Sequence, residues 1–253
     1  MCPWSRASPL PARATRDHLP AMPNLPAKPG NAAVAAFLDK VASMPAVAVA
    51  PGRAGRLIFA IDATASRQPT WDRACHLQAE MFHAVRDTGG LTVSLAYFRG
   101  HGEFAATPFL TSAPDLARRM AGVTCLGGHT QIVRTLRHAL AATKAERVNA
   151  VILIGDAFEE DVDEACHLAG ECGLRGLPLF CFLEGQHPVA RNAFRQMAKL
   201  SGGAFAPFDA ASAEALRDLL RAVAVYAAGG RRALARLTSP AARGIAGQLP
   251  APA

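Results

Sequence analysis

The chain has 253 residues, 51% of them apolar, which suffices for one deep hydrophobic core, falls short of two full domains and rules out disorder through its middle. Its formal charge of +7 is carried almost wholly by arginine, with clusters near the two ends: Arg6, Arg13 and Arg16 with Lys28, then Arg217, Arg221, Arg231, Arg232, Arg236 and Arg243. There is no apolar leader and no run of membrane-spanning length, and six cysteines form neither a CxxC pair nor a zinc-ligand rhythm, so the expectation is a reduced, cytoplasmic, soluble protein.

Residues 1–30 are rich in proline and lack apolar periodicity, which reads as a disordered extension with Met22 as a second candidate start. Residues 31–54 read as a short helix capped by Asn31, with Val34, Phe37, Leu38 and Val41 on one face to about Met44, followed by a linker. The body of the chain is then expected over 55–228. Leu57 to Ile61 is a continuous apolar run, the mark of a strand buried on both faces, and it stops on Asp62-Ala63-Thr64-Ala65-Ser66. Thr70 is expected to cap a helix running to about Asp87, ahead of Gly89-Gly90. Leu91 to Phe98 reads as a second strand, and Arg99-Gly100-His101-Gly102 as a turn into an antiparallel edge strand from Glu103 to Pro108. Ser112, with Asp115 three residues on, predicts a capped helix through Ala121.

The glycine loop Cys125-Leu126-Gly127-Gly128-His129-Thr130 leads into a helix expected from Gln131 to Thr143. Asn149 to Ile154 is another apolar strand, closed by Gly155-Asp156, and a helix is expected from Glu159 to Gly173 with its acidic residues in the first turn. A strand at Leu177–Leu183, a helix at Ala190–Leu200, a short strand at Ala204–Pro207 and a helix at Ala213–Tyr226 complete the series. Alternation of strand and helix predicts a three-layer, Rossmann-like, mostly parallel sheet with one antiparallel edge strand and helices on both faces. Residues 229–253 read as a frayed, basic, Ala/Arg-rich tail.

Two of the apolar strands end on carboxylates, Asp62 and Asp156, which is a costly place for a charge without a partner. In an open α/β sheet, ligands bind beyond the carboxyl ends of the strands. The oxygens of Asp62, Thr64, Ser66, Thr130 and Asp156 gathered there suit a hard cation such as magnesium, which would neutralise both carboxylates. The run Asp62-x-Thr64-x-Ser66, then Thr130 after a glycine loop, then Asp156, resembles the metal-ion-dependent adhesion site of von Willebrand factor A domains. That pattern is Asp-x-Ser-x-Ser followed by a distant Thr and a distant Asp, so Thr64 keeps the hydroxyl of the first serine and adds a methyl group. The resemblance spans about Gly55 to Val225 and includes Leu200-Ser201-Gly202-Gly203 before the last strand. It implies a protein-binding module rather than an enzyme, with those five residues holding Mg2+ (Mn2+ or Ca2+ as alternatives) and a partner protein's Asp or Glu completing the coordination. Bacterial cytoplasmic members of that family often work beside AAA-type ATPases or in stress-response complexes.

A rival reading is a magnesium-dependent phosphatase of the haloacid dehalogenase type, with Asp62 as nucleophile, Lys144 as phosphate partner and Asp156 on the metal. Thr64 stands where that family places its second aspartate, the general acid. The basic ends suggest nucleic acid, but no aromatic-and-basic motif accompanies them, so nucleic acid is not the expected partner.

Overall fold

The computed structural model describes residues 54–86, 89–209 and 212–251. The proline-rich stretch and the helix expected over 31–44 lie outside the described residues. Six strands, β1 (Gly55–Asp62), β2 (Leu91–Arg99), β3 (Glu103–Ala106), β4 (Ala150–Gly155), β5 (Leu179–Glu184) and β6 (Ala204–Phe208), form one sheet in the order β3-β2-β1-β4-β5-β6. All neighbours run parallel except β3, which folds back antiparallel on β2 with Phe104 opposite Phe98. The α/β architecture expected from the alternating pattern is therefore the one observed.

The period-two alternation of β1 explains the layering. Leu57, Phe59 and Ile61 point into one core and Ile58 and Ala60 into the other, with none more than 1% exposed. A strand apolar on both faces needs a helical layer on each. The first core is closed by α1 (Gln68–Leu77), α2 (Ala79–His83), α3 (Ala113–Ala121), α7 (Ala213–Leu234) and α8 (Pro240–Ala246). The second is closed by α4 (Ile132–Ala145), α5 (Val162–Leu174) and α6 (Pro188–Leu200). The chain moves from β1 to β2 on one side and later to β4 on the other. This opens a crevice beyond the carboxyl ends of β1 and β4, the place where doubly wound sheets hold ligands.

Several expectations are corrected in detail. The single helix from Thr70 to Asp87 is two pieces, α1 and α2, and Thr70 is buried within α1 rather than capping it. The helix expected from Glu159 starts only at Val162, because Asp161 caps it by accepting the Glu164 amide at 2.8 Å. Ser112 does cap α3, accepting the Asp115 amide.

The largest correction concerns the segment expected to be a frayed tail. Gly230 sits at φ +67 and ψ −166, outside the helical region and in a conformation that favours glycine, and it divides Ala213–Leu234 into two helices that meet at a kink. Beyond it Ser239 caps α8, whose Ala242 and Ile245 are buried, and Leu249 follows them into the first core. The Gln248 side chain then pairs with both backbone groups of Phe205 on β6: its Oε1 accepts the Phe205 amide and its Nε2 donates to the Phe205 carbonyl, each at 2.9 Å. Arginines dominate this segment's composition, but the apolar residues at 234, 242, 245 and 249 decide its fate. Ile245→Ala is expected to cost about 2–4 kcal/mol by opening a cavity, and Gln248→Ala about 1 kcal/mol by leaving the Phe205 groups to water. Urea denaturation measures both, and a frayed tail would make both silent.

Candidate metal centre

The crevice is built from the end of β1 upward. Asp62 is 1% exposed, and its Oδ1 accepts the Thr64 amide at 2.7 Å. Between them, the Ala63 amide donates to the Phe98 carbonyl at the end of β2, and the Ala63 carbonyl accepts the Leu126 amide from the glycine loop, both at 3.0 Å. The chain then closes a 3-10 turn over Ala65–Arg67, with Thr64 extended at its head. That turn brings the Thr64 and Ser66 hydroxyls to 3.5 Å from one another, and Ser66 donates to Asp156 Oδ2 at 3.0 Å across from β4. Asp62, Thr64, Ser66 and Asp156 thus form one continuous run of contacts.

Thr130 is not in that run of contacts; a second set of bonds ties it to the loop that follows Asp156. The Thr130 amide donates to Glu159 Oε2 and the Glu159 amide donates back to Thr130 Oγ1, both at 3.1 Å. Glu160 holds the start of α4 with both oxygens, accepting the Ile132 amide on one and the Val133 amide on the other at 3.0 Å. Burial pushes the Glu160 carboxyl up, while these amides and a hydrogen bond from the Thr130 hydroxyl pull it down. Glu159 and Glu160, expected in the first turn of the helix after them, instead tie the loop that carries Asp156 to the loop that carries Thr130.

The glycine loop owes its course to a close approach. A Cβ on Gly128 would overlap the Gly100 carbonyl, so only glycine lets the loop cross the β2–β3 turn there. Arg99 and Arg134 pin the same turn from either side, donating to the Thr124 carbonyl at 2.6 Å and the Gly102 carbonyl at 2.7 Å. His129 is exposed at the rim, edge-on to His101, with Nδ1 3.5 Å from Glu159. Leu126, beside it, is 44% exposed.

The sequence gives less warning of Arg67. It is 1% exposed, bonds Glu184 at the end of β5 through Nη1, and lies 3.8 Å from Asp156 Oδ2. Thr70 donates to the same Glu184 carboxylate. The spacing Arg67, Trp71, Ala74 is that of one buried helical stripe, which is the signal that points Arg67 inward. Glu160 has no such signal, because an acidic pair before a helix reads the same in either role.

Burial pushes the Asp62 carboxyl up to about 6; the Thr64 hydrogen bonds oppose this, Asp156 adds to it and Arg67 offsets a little. A divalent cation would supply the missing countercharge, and two carboxylates with three hydroxyls are hard oxygen donors that fit magnesium better than a soft metal. Among the described residues no group of three or more His, Cys, Asp or Glu side chains is placed to hold a metal, so an ion at this edge would depend on the hydroxyls. The phosphatase arrangement is not supported. Lys144 is exposed in the last turn of α4. That helix starts at the crevice and runs away from it, which carries Lys144 about 18 Å along its axis.

Because the native protein holds the Asp62 proton to higher pH than the unfolded chain does, metal-free protein is expected to lose stability as pH rises from about 4 to about 6. The loss approaches ~3 kcal/mol from a shift of about two units. Asp62→Asn keeps an acceptor for the Thr64 amide and is expected to flatten that slope. Urea denaturation in chelator across this range tests it, and equal slopes for the two proteins would clear Asp62 of the effect.

No family model and no curated protein matches the chain by sequence. Solved structures match it by shape. A von Willebrand factor type A protein from Catenulispora acidiphila superposes with a TM-score of 0.56 at 15% identity, over 68% of this chain and 42% of that one. The vWF domain of the type V pilus tip protein Mfa5 from Porphyromonas gingivalis gives 0.56 at 10% identity, over 70% of this chain and 97% of that one. Proximal thread matrix protein 1 from the mussel byssus, solved with a zinc-occupied MIDAS motif, gives 0.56 at 15% identity over 70% and 48%. The chain therefore spans less than half of the first and the last of these. Its fold is that of a von Willebrand factor A domain.

Proposed function

We propose that this chain is a protein-interaction module that holds a divalent cation, magnesium with manganese or calcium as alternatives, on Asp62, Thr64, Ser66, Thr130 and Asp156. A partner protein's Asp or Glu side chain completes the ion's coordination. The observation that carries this reading is the run of contacts from Asp62 through Thr64 and Ser66 to Asp156, at the crevice where the strand order reverses. The mussel protein with zinc at its MIDAS motif lends support through a shared fold.

The bound ion would supply positive charge at the mouth of the crevice, strong enough to attract a carboxylate because few of its ligands are charged. The chain's own residues do the rest. Asp62 is fixed by the Thr64 amide, Ser66 orients Asp156, and the two glutamates hold Thr130 in place. Exposed Leu126 adds an apolar contact beside the crevice. The role is one of binding rather than catalysis. The five described cysteines are all free, which suits the reduced setting we assign to it.

Calorimetric titration of the purified chain with magnesium and with manganese is expected to give saturable one-site binding. Asp156→Ala should abolish it, or weaken it by a factor of ten or more. Capture of an acidic-motif partner should likewise disappear with chelator and with Asp62→Ala. A wild-type chain that takes up neither ion, and captures the same partners with and without chelator, would end this reading.

A further inference from the structure

The inference rests on the metal-site reading and concerns Arg67. This guanidinium is 1% exposed and stands one residue past Ser66, at the junction of three carboxylates. Nη1 bonds Glu184 and faces Asp156 Oδ2 at 3.8 Å, while Nε and Nη2 are buried with no hydrogen-bond partner. Arginine is the residue of choice for bidentate recognition, and here that capacity is unused. Two buried nitrogens without acceptors are a standing cost, and so is the loss of water around the charge. What the side chain delivers at this position is a positive charge set among carboxylates.

Charge counting shows what that does. Ionised Asp62, Asp156 and Glu184 carry −3 together and Arg67 returns +1, leaving −2, which one divalent cation brings to zero. Without Arg67 the same ion would leave −1 at the crevice, and an incoming carboxylate would meet a net negative site. With it, the ion's pull on an outside acid is not cancelled by the carboxylates beneath. The same positive charge opposes the arrival of the ion itself. We propose that Arg67 is the resident counter-cation of the site: it weakens the hold on the free ion so that the loaded site accepts an acidic partner, and Glu184, braced by Thr70, anchors it. Arg67 acts through Asp156 and the ion, so it is a positioning and tuning residue rather than a ligand.

The sign of two substitutions separates this from a packing role. The full chain is titrated with manganese and with magnesium alone, as wild type, Arg67→Met, Arg67→Lys and Glu184→Gln. Arg67→Met keeps the aliphatic stem and removes the charge, and is expected to bind the ions tenfold or more tighter. Glu184→Gln removes the compensating charge, and is expected to bind them several-fold weaker. Arg67→Lys keeps the charge and should stay within about threefold of wild type. Urea midpoints in chelator, taken on the same proteins, show which variants fold without metal. Should Arg67→Met fail to fold, Glu184→Gln still decides the matter, because unchanged or tighter binding there overturns the proposal. If wild type binds the ions but Arg67→Met and Glu184→Gln shift affinity the same way, or not at all, the counter-cation role falls and the metal site stands. If wild type and all three variants bind no ion, both fall together.

Discussion

Asp62 ends a strand whose other central side chains are all out of water, and its own carboxylate is 1% exposed. Placing a charge there is unfavourable enough to hold its proton well above the usual carboxylate range. The surroundings are arranged to meet that cost. The Thr64 amide turns back to the carboxylate, and this bend is what starts the 3-10 turn. The turn in its place delivers two hydroxyls outward and one guanidinium inward. The neighbouring peptide is used on both sides, holding β2 through its amide and the glycine loop through its carbonyl.

A second constraint works at right angles to the first. The loop after β4 carries Asp156 and then, within four residues, the two glutamates that grip the start of α4. Those amides are the unpaired donors that every helix leaves at its first turn. Here they are consumed by side chains of the neighbouring loop, so the positive end of α4 is already neutralised before any ligand arrives. Thr130 is therefore not positioned by its own helix alone. Its hydroxyl and its amide are both bonded by the loop that carries Asp156.

Much of this was open to inspection in the sequence, for reasons that differ by element. The strands were legible because they are long apolar runs cut by Asp62, Gly155-Asp156 and Glu184-Gly185, and burial on both faces leaves no other assignment. The helix caps at Ser112 and at Asp161 differ in difficulty. The first is isolated, while the second sits in a run of five acidic residues that could place a helix start at any of them. The C-terminal helix was hidden because Arg231, Arg232, Arg236 and Arg243 swamp four widely spaced apolar residues, Leu234, Ala242, Ile245 and Leu249, whose partners lie far off in the chain. Arg67 was hidden for a related reason. Charge predicts exposure, and against that the helical spacing to Trp71 and Ala74 is a faint signal until the carboxylates from β1, β4 and β5 are brought in.

The pairing of Gln248 with Phe205 has a consequence for how the molecule meets others. β6 is the last strand of the sheet, and an outer strand with free amides and carbonyls invites a foreign strand to add on. Here a single side-chain amide imitates one residue of such a strand, donor and acceptor together, and α8 is packed beside it. At the opposite margin β3 is only four residues long. Both margins of the sheet thus offer less to a foreign strand than a long bare edge would. Addition of a foreign strand at Phe205 is thereby discouraged.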